Sequence, residues 1–169
     1  FCTEAGIQTL TASPPGGTWS GSVSSDQFDP ALLGPGTHEV IYTSPAGPCQ
    51  SADTIDIIVY ELVISCLTIQ DETAPLASDG QGQVTVSGGV PDYNVTWSGP
   101  VSGSVVLMAD GDFIISSLPP GIYTIEVTDA TGCTTTCQFI IASAIPCDLI
   151  IDEIITQDAT CSGVDNGTA

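Results

Sequence analysis

The stretch "QVTVSGGVPDYNVTWSG", residues 83–99, decides the fold class. It reads as strand, turn, strand. "QVTVSG" (83–88) and "YNVTWSG" (93–99) are short and rich in β-branched and aromatic residues, with the period-two alternation of half-buried strands. Between them "SGGVPD" gathers the residue types that accept turn conformations. In the second strand Val95 and Trp97 fall on one face, Asn94 and Thr96 on the other. That alternation predicts a core Trp97, as β-sandwiches commonly hold.

The same grammar extends in both directions. "THEVIYTS" (37–44), "TIDIIVYE" (54–61), "DFIISSL" (112–118), "IYTIEVTDA" (122–130) and "CQFIIAS" (137–143) are strand-like, and clusters such as "SPPGG", "LGPGT", "MADGD" and "LPPG" separate them. Helical periodicity is almost missing. Short strands at this spacing predict an all-β chain of tandem Ig-like antiparallel β-sandwich domains arranged as a rod. The expected boundaries are 1–60 for an Ig-like module, 61–143 for a second sandwich, and 144–169 for the first strand and loop of a further, incomplete repeat. Gln70, Asp71, Thr73 and Gly80 recur as Gln157, Asp158, Thr160 and Gly167, and the strand carrying Cys66 has a counterpart carrying Cys147. The junction "DTIDIIVYELVISCLTIQD" (53–71) contains no Gly or Pro. It reads as one strand running into the next, stiff where a Gly/Ser-rich linker would be flexible. The opening Phe1, with no signal peptide or transmembrane run, reads as a processed or partial chain.

Composition narrows the function classes. The chain has 169 residues, 20 acidic side chains, no Lys or Arg, and a net charge of −20. Such a charge repels nucleic-acid backbones and anionic membrane surfaces. Without a basic side chain, phosphoryl transfer would have to lean on metal alone, and Schiff-base chemistry is excluded. Acidic disordered segments lack apolar residues; this chain is 42% hydrophobic, enough for a core. Seven cysteines without close zinc-type spacing, and one histidine (His38) in a different segment from Cys133 and Cys137, predict disulfides in an extracellular protein.

Residues 66–137 resemble the SprB-type repeat of Bacteroidetes cell-surface proteins. The resemblance is carried by "GQVTVSGGVPDYNVTWSG", "SLPPGIYTIEVTDATGC" and the tail's "ATCSGVDNGTA". Residues 1–60 resemble Ig-like modules of the same giant proteins through "PPGGTWSG", "FDP" and "GPGTHEVIYTSPAGPC". The resemblance implies an extracellular scaffold or adhesin of the gliding-motility type, exported by a type IX system. It also implies a cysteine pair between the repeat's first loop and "TGC". Here Ala74 stands where the tail has Cys161, so Cys133 lacks that partner. Cys66 is expected to bridge Cys137, or alternatively Cys133. Cys2–Cys49 is expected to close the first module. The partners of Cys133, Cys147 and Cys161 stay open, since connectivity does not follow from spacing.

Other candidate sites each have a bland reading beside them. Asp110 and Asp112 in "ADGD" offer oxygens for calcium, as do "TDATG" (128–132) and "ASDGQG" (77–82), yet Asp-Gly is also the ordinary hairpin turn. No other cofactor is expected. Thr54 in "DTI" fits the Bacteroidetes O-glycosylation pattern and must then face outward. Trp19 and Trp97 could display rings to a glycan, but a core position is expected, as it is for Tyr123. Catalysis has almost no vocabulary here, so no enzyme is expected. The expected function is a structural segment of a long secreted adhesin or extracellular filament, with neighbouring repeats as partners. A module binding surface glycans, or a filament subunit completed by a neighbour's strand, are the alternatives.

Overall fold

A computed structural model describes residues 1–144; Cys147, Cys161 and the expected third unit lie outside the described residues. Among the described residues the regular structure is strand, apart from one short helix. Its elements are β1 (Gln8–Thr9), β2 (Thr18–Gly21), β3 (Gln27–Phe28), α1 (Pro30–Leu33), β4 (Gly36–Thr43), β5 (Ala52–Val59), β6 (Leu62–Gln70), β7 (Gly80–Gly88), β8 (Tyr93–Ser98), β9 (Gly103–Leu107), β10 (Gly111–Leu118), β11 (Gly121–Thr128) and β12 (Thr134–Ile141).

From β6 onward the chain forms two antiparallel sheets, β10-β7-β6 and β12-β11-β8-β9. The alternation read in residues 83–99 explains their packing. Val84 and Val86 of β7, and Tyr93 and Val95 of β8, point inward and are fully buried, joined by Ile115, Leu118, Tyr123, Ile125, Val127, Phe139 and Ile141. Tyr123 stacks on Phe139 with ring centroids 5.4 Å apart. Its hydroxyl donates to the Pro119 carbonyl four residues upstream, 2.9 Å away. This is the tyrosine-corner device of Ig-like sandwiches, and it answers to "LPPGIY" in the sequence. The fold is an all-β sandwich.

The first and last strands of the sandwich adjoin. Cys66 of β6 bonds Cys137 of β12, with Cα atoms 5.8 Å apart. The Thr68 hydroxyl donates to the Ile140 carbonyl (2.6 Å), and the Ala142 N–H donates to Asp71 Oδ1 (2.7 Å). Partners advance together along both strands, so β6 and β12 run in the same direction, from the residue-61 end to the residue-142 end.

The first sixty residues build a smaller assembly. β2-β4-β5 form one sheet and β1-β3 a two-stranded ribbon. Phe28, Val40, Ile57 and Val59 make the buried core, with Leu10, Trp19, Val23 and Leu33 packed against it. The motifs have mechanical explanations. In "FDP", Phe28 anchors the core, Asp29 Oδ1 accepts from the Ala31 and Leu32 N–H groups (3.1 and 3.3 Å), and Pro30 occupies the first helical position. An Asp cap followed by Pro is a helix-start signal. In "PPGGTW", the Tyr42 hydroxyl donates to the Pro14 carbonyl and accepts from the Gly17 N–H at 2.8 Å.

Candidate functional site

The junction between these two assemblies is held by backbone hydrogen bonds from both sides and by a disulfide. Residues 1–3 lie beside the end of β5. The Phe1 ammonium donates to the Ile58 carbonyl (2.9 Å), Tyr60 N–H to the Phe1 carbonyl (2.7 Å) and Thr3 N–H to the Tyr60 carbonyl (2.9 Å). Cys2 is thus held in a parallel bridge against Tyr60. The beginning and the end of the first assembly meet at one point.

From the other side two loops converge on that point. Gly88 and Gly89 have φ of +69° and +68°. Side chains are excluded there: a Cβ on Gly88 would sit 2.3 Å from the Glu61 carbonyl oxygen, and one on Gly89 would sit 2.8 Å from Asp129 Oδ2. The close approach lets Gly89 N–H donate to the Glu61 carbonyl at 2.9 Å. The Gly-Gly pair therefore seats the β7–β8 loop on the junction residue itself.

Asp129 is the hub of the second loop. It is only 5% exposed. Its Oδ2 accepts from the Val90 N–H (2.9 Å), and its Oδ1 accepts from the Thr131 N–H (2.8 Å), the Thr131 hydroxyl (2.8 Å) and the Cys133 N–H (2.9 Å). Burial pushes its pKa up, but the four donors outweigh burial and hold the carboxyl below its ordinary value. No cation is needed to keep this carboxylate charged. The "Asp-x-x-Gly-Cys" spacing gains a physical meaning: Asp129 folds the loop around itself, Gly132 turns at φ +88°, and Cys133 is delivered to the junction with 3% exposure.

There Cys133 bonds Cys2, with Cα atoms 5.5 Å apart. This corrects the expected Cys2–Cys49 pair. Cys49 lies exposed in the β4–β5 loop and has no disulfide partner among the described residues. The bond that was expected to close the first assembly upon itself instead ties it to its neighbour. The cause is local: residues 1–3 are held at the end of β5, whereas Cys49 sits at the far end, before β5 begins.

The remaining candidates have structural roles. Asp110 accepts from the Tyr93 hydroxyl and from the Gly88 N–H (3.2 Å); these bonds hold its pKa below the ordinary carboxylate value. Asp112 accepts from the Thr85 hydroxyl at 2.7 Å. Asp79 of the "ASDGQG" loop accepts from the Thr73 hydroxyl and N–H, which also lowers its pKa. The carboxylates expected to offer oxygens to calcium thus accept hydrogen bonds from the protein itself, Asp79 and Asp129 within their own loops and Asp110 and Asp112 from β7, β8 and the turn between them. Among the described residues no group of three or more His, Cys, Asp or Glu is placed to hold a metal ion. Tyr93, fully buried beneath Asp110 with its hydroxyl oxygen 2.7 Å from the Gly88 carbonyl oxygen, has its pKa raised to about 12 by burial, by its hydrogen bond to Asp110 and by the nearby carboxylates.

Trp97 and Trp19 are half-buried against their respective cores. Trp97 faces Phe113 at 6.1 Å and Trp19 faces Tyr42 at 4.8 Å, so neither belongs to an exposed aromatic row. Thr54 is exposed on β5, an edge strand of its sheet. His38 Nε2 lies 2.9 Å from the Gly34 carbonyl, a structural contact. An open groove of about 290 Å³ beside α1 is lined by Ile7, Val23, Gln27, Asp29, Leu32 and Leu33; its one carboxylate is the helix cap. Sequence reasoning missed the Asp129 hub and the Cys2–Cys133 bond. The first had a signal in "TDATGC", where the oxygens drew attention and the turn did not; the second had none.

Two disulfides in an all-β fold make a stabilised structural domain and point to an oxidising environment, extracellular in type. No helix among the described residues is long and apolar enough to cross a membrane. Compared with known proteins, the chain matches no family model, no curated protein and no solved structure.

Proposed function

We propose that this chain is a structural segment of a secreted cell-surface protein, an adhesin or extracellular filament, in which disulfide-stabilised β-units serve as a mechanical scaffold. The observation that carries the reading is the junction. A disulfide, a Gly-Gly turn seated on Glu61 and an N-terminal clip along Ile58–Tyr60 all meet at the joint between two hydrophobic cores. A joint fastened three ways transmits orientation and tension, whereas a flexible tether between binding modules would not. The absence of Lys and Arg fits an exterior role, since trypsin-like proteases find no site and high charge keeps a surface soluble. The motif resemblance to SprB-type repeats supports the cell-surface placement, with neighbouring repeats as the partners and tandem units arranged as a rod.

The glycan-binding alternative draws less support, because it needs displayed rings and both Trp side chains are packed against their cores. Electron microscopy of the native material tests the scaffold reading. Rods or fibres built of linked β-units are expected. Compact, separate monomers of the native protein overturn it.

A further inference from the structure

The geometry points to the Cys2–Cys133 bond as a force shunt, a covalent bypass that keeps nearly all of the described chain off the load path. This rests on the mechanical reading above. Cys2 and Cys133 are 131 residues apart in sequence and joined through one bond. Tension that enters ahead of Cys2 and leaves beyond Ile141 takes the shortest covalent route: through the disulfide, into β12, and out. Residues 3–132 form a closed loop beside that route. The 71-residue span of the Cys66–Cys137 bond overlaps this loop. It becomes the shortest route only when the first bond is missing.

The arrangement differs from a sandwich loaded in series. In series, the first sixty residues would be a link, and their strands would unravel in turn. Here their entry and exit lie together, Cys2 against Tyr60, so pulling does not separate them. The first assembly is carried by the joint without being stretched by it. The Asp129 loop buries Cys133 and fixes its backbone, which keeps the bypass attached to the start of β12. Under load only β12 and the chain beyond it can lengthen.

Single-molecule stretching of the full chain, held at Phe1 and Ala169, tests this. Cys49, Cys147 and Cys161 are replaced by Ser throughout, so that the Cys2–Cys133 and Cys66–Cys137 bonds alone decide the length. With both bonds intact the fully stretched chain is expected to be shortest. The Cys2→Ser/Cys133→Ser pair unlocks the difference between the 131- and 71-residue spans, 60 residues. That is a gain of about 200 Å at roughly 3.4 Å per extended residue. Adding Cys66→Ser/Cys137→Ser brings the gain over the two-bond chain to about 450 Å by the same conversion. Stretched length depends on covalent connectivity, so it can be read even from a variant that folds poorly. A two-bond chain as long as the Cys2→Ser/Cys133→Ser variant overturns the shunt. Such a result would leave the scaffold reading standing, since that reading fails only if the native material is not fibrous.

Discussion

The two assemblies solve the same problem with different means. The sandwich of residues 62–141 buries eleven side chains in one cluster, including two tyrosines and a phenylalanine, and staples its own first and last strands through Cys66–Cys137. Residues 1–60 bury four in theirs, close no disulfide of their own among the described residues, and share the Cys2–Cys133 bond with the neighbour. Small domains with thin cores commonly need such a staple. The lesson is that the staple does not have to be internal. By joining Cys2 to a loop already fixed by Asp129, the chain lends the order of the larger core to the smaller one.

Cutting each core separately should give the largest effect. Phe28→Ala removes the ring around which Phe1 and His38 pack, each about 5.9 Å away, and Phe139→Ala removes the ring stacked on Tyr123. Each truncation costs about 4 kcal/mol. The first is expected to unfold residues 1–60 while the Trp97 environment stays native. The second should lower the sandwich's stability without melting it. Fluorescence of Trp19→Phe and Trp97→Phe backgrounds during urea unfolding separates the two. A single shared transition in every variant would show one cooperative unit and dissolve the comparison.

The shared bond comes next. Replacing Cys2 and Cys133 by Ser should cost about 4 kcal/mol by loop-closure entropy, because the Cys66–Cys137 bond already shortens the loop that the shared bond closes. The loss is expected to fall on the first assembly. Hydrogen exchange should accelerate in β4 and β5 and change little in β7 and β11. Equal acceleration in both would mean that the bond supports the sandwich as well.

Asp129→Asn sharpens the same point from the sandwich side. An amide cannot accept from all four donors, and a buried donor left facing another costs about 2 kcal/mol. The sign of the pH dependence comes from the lowered native pKa. The carboxylate's contribution is fully present above its unfolded value of about 3.9, and is lost as pH falls through the folded value. Acidification also relieves repulsion within a chain of net charge −20, which acts in the opposite direction. The variant isolates the local effect: its urea midpoint should lose less than the wild-type midpoint between pH 5 and pH 2. Parallel pH profiles would sink the assignment of Asp129 as a hub that works through its charge.

The legibility of each feature depends on the kind of signal it leaves in the sequence. Period-two alternation placed β4, β5, β7, β8, β10, β11 and β12, because a half-buried strand writes its two faces into neighbouring residues. β9, "GSVVL", was missed although Val105 faces the core and Val106 the solvent; five residues are too few for the alternation to stand out. α1 was missed for the same reason, despite its Asp-Pro start. The inward turn of Tyr123 was readable from its spacing with Ile125 and Val127. The carboxylates were legible only by residue type, which cannot tell an oxygen aimed at solvent from one aimed at its own turn. Cys2–Cys133 could not be read at all. Its partners meet only after residues 1–3 settle beside β5 and the Asp129 loop closes, two events 131 residues apart in sequence.

The smallest test is also the most local. Asp29→Ala removes the cap of α1, whose two accepted N–H bonds are exposed and can pass to water. Loss of a cap costs about 1 kcal/mol. The matching change in the sandwich is Asp112→Ala, which removes an exposed side-chain bond to Thr85 on a sheet face. Exposed substitutions of that kind stay within about 0.5 kcal/mol. The two carboxylates look alike in sequence, but Asp29 holds the helix that presses Leu33 onto a four-residue core, while Asp112 decorates a sheet held by eleven. Urea unfolding followed at Trp19 for the first and at Trp97 for the second should therefore show a clear shift for Asp29→Ala and almost none for Asp112→Ala. Equal shifts would mean that the thin core is no more sensitive to its edges than the thick one, and that the first assembly has a source of stability outside its core and the shared bond.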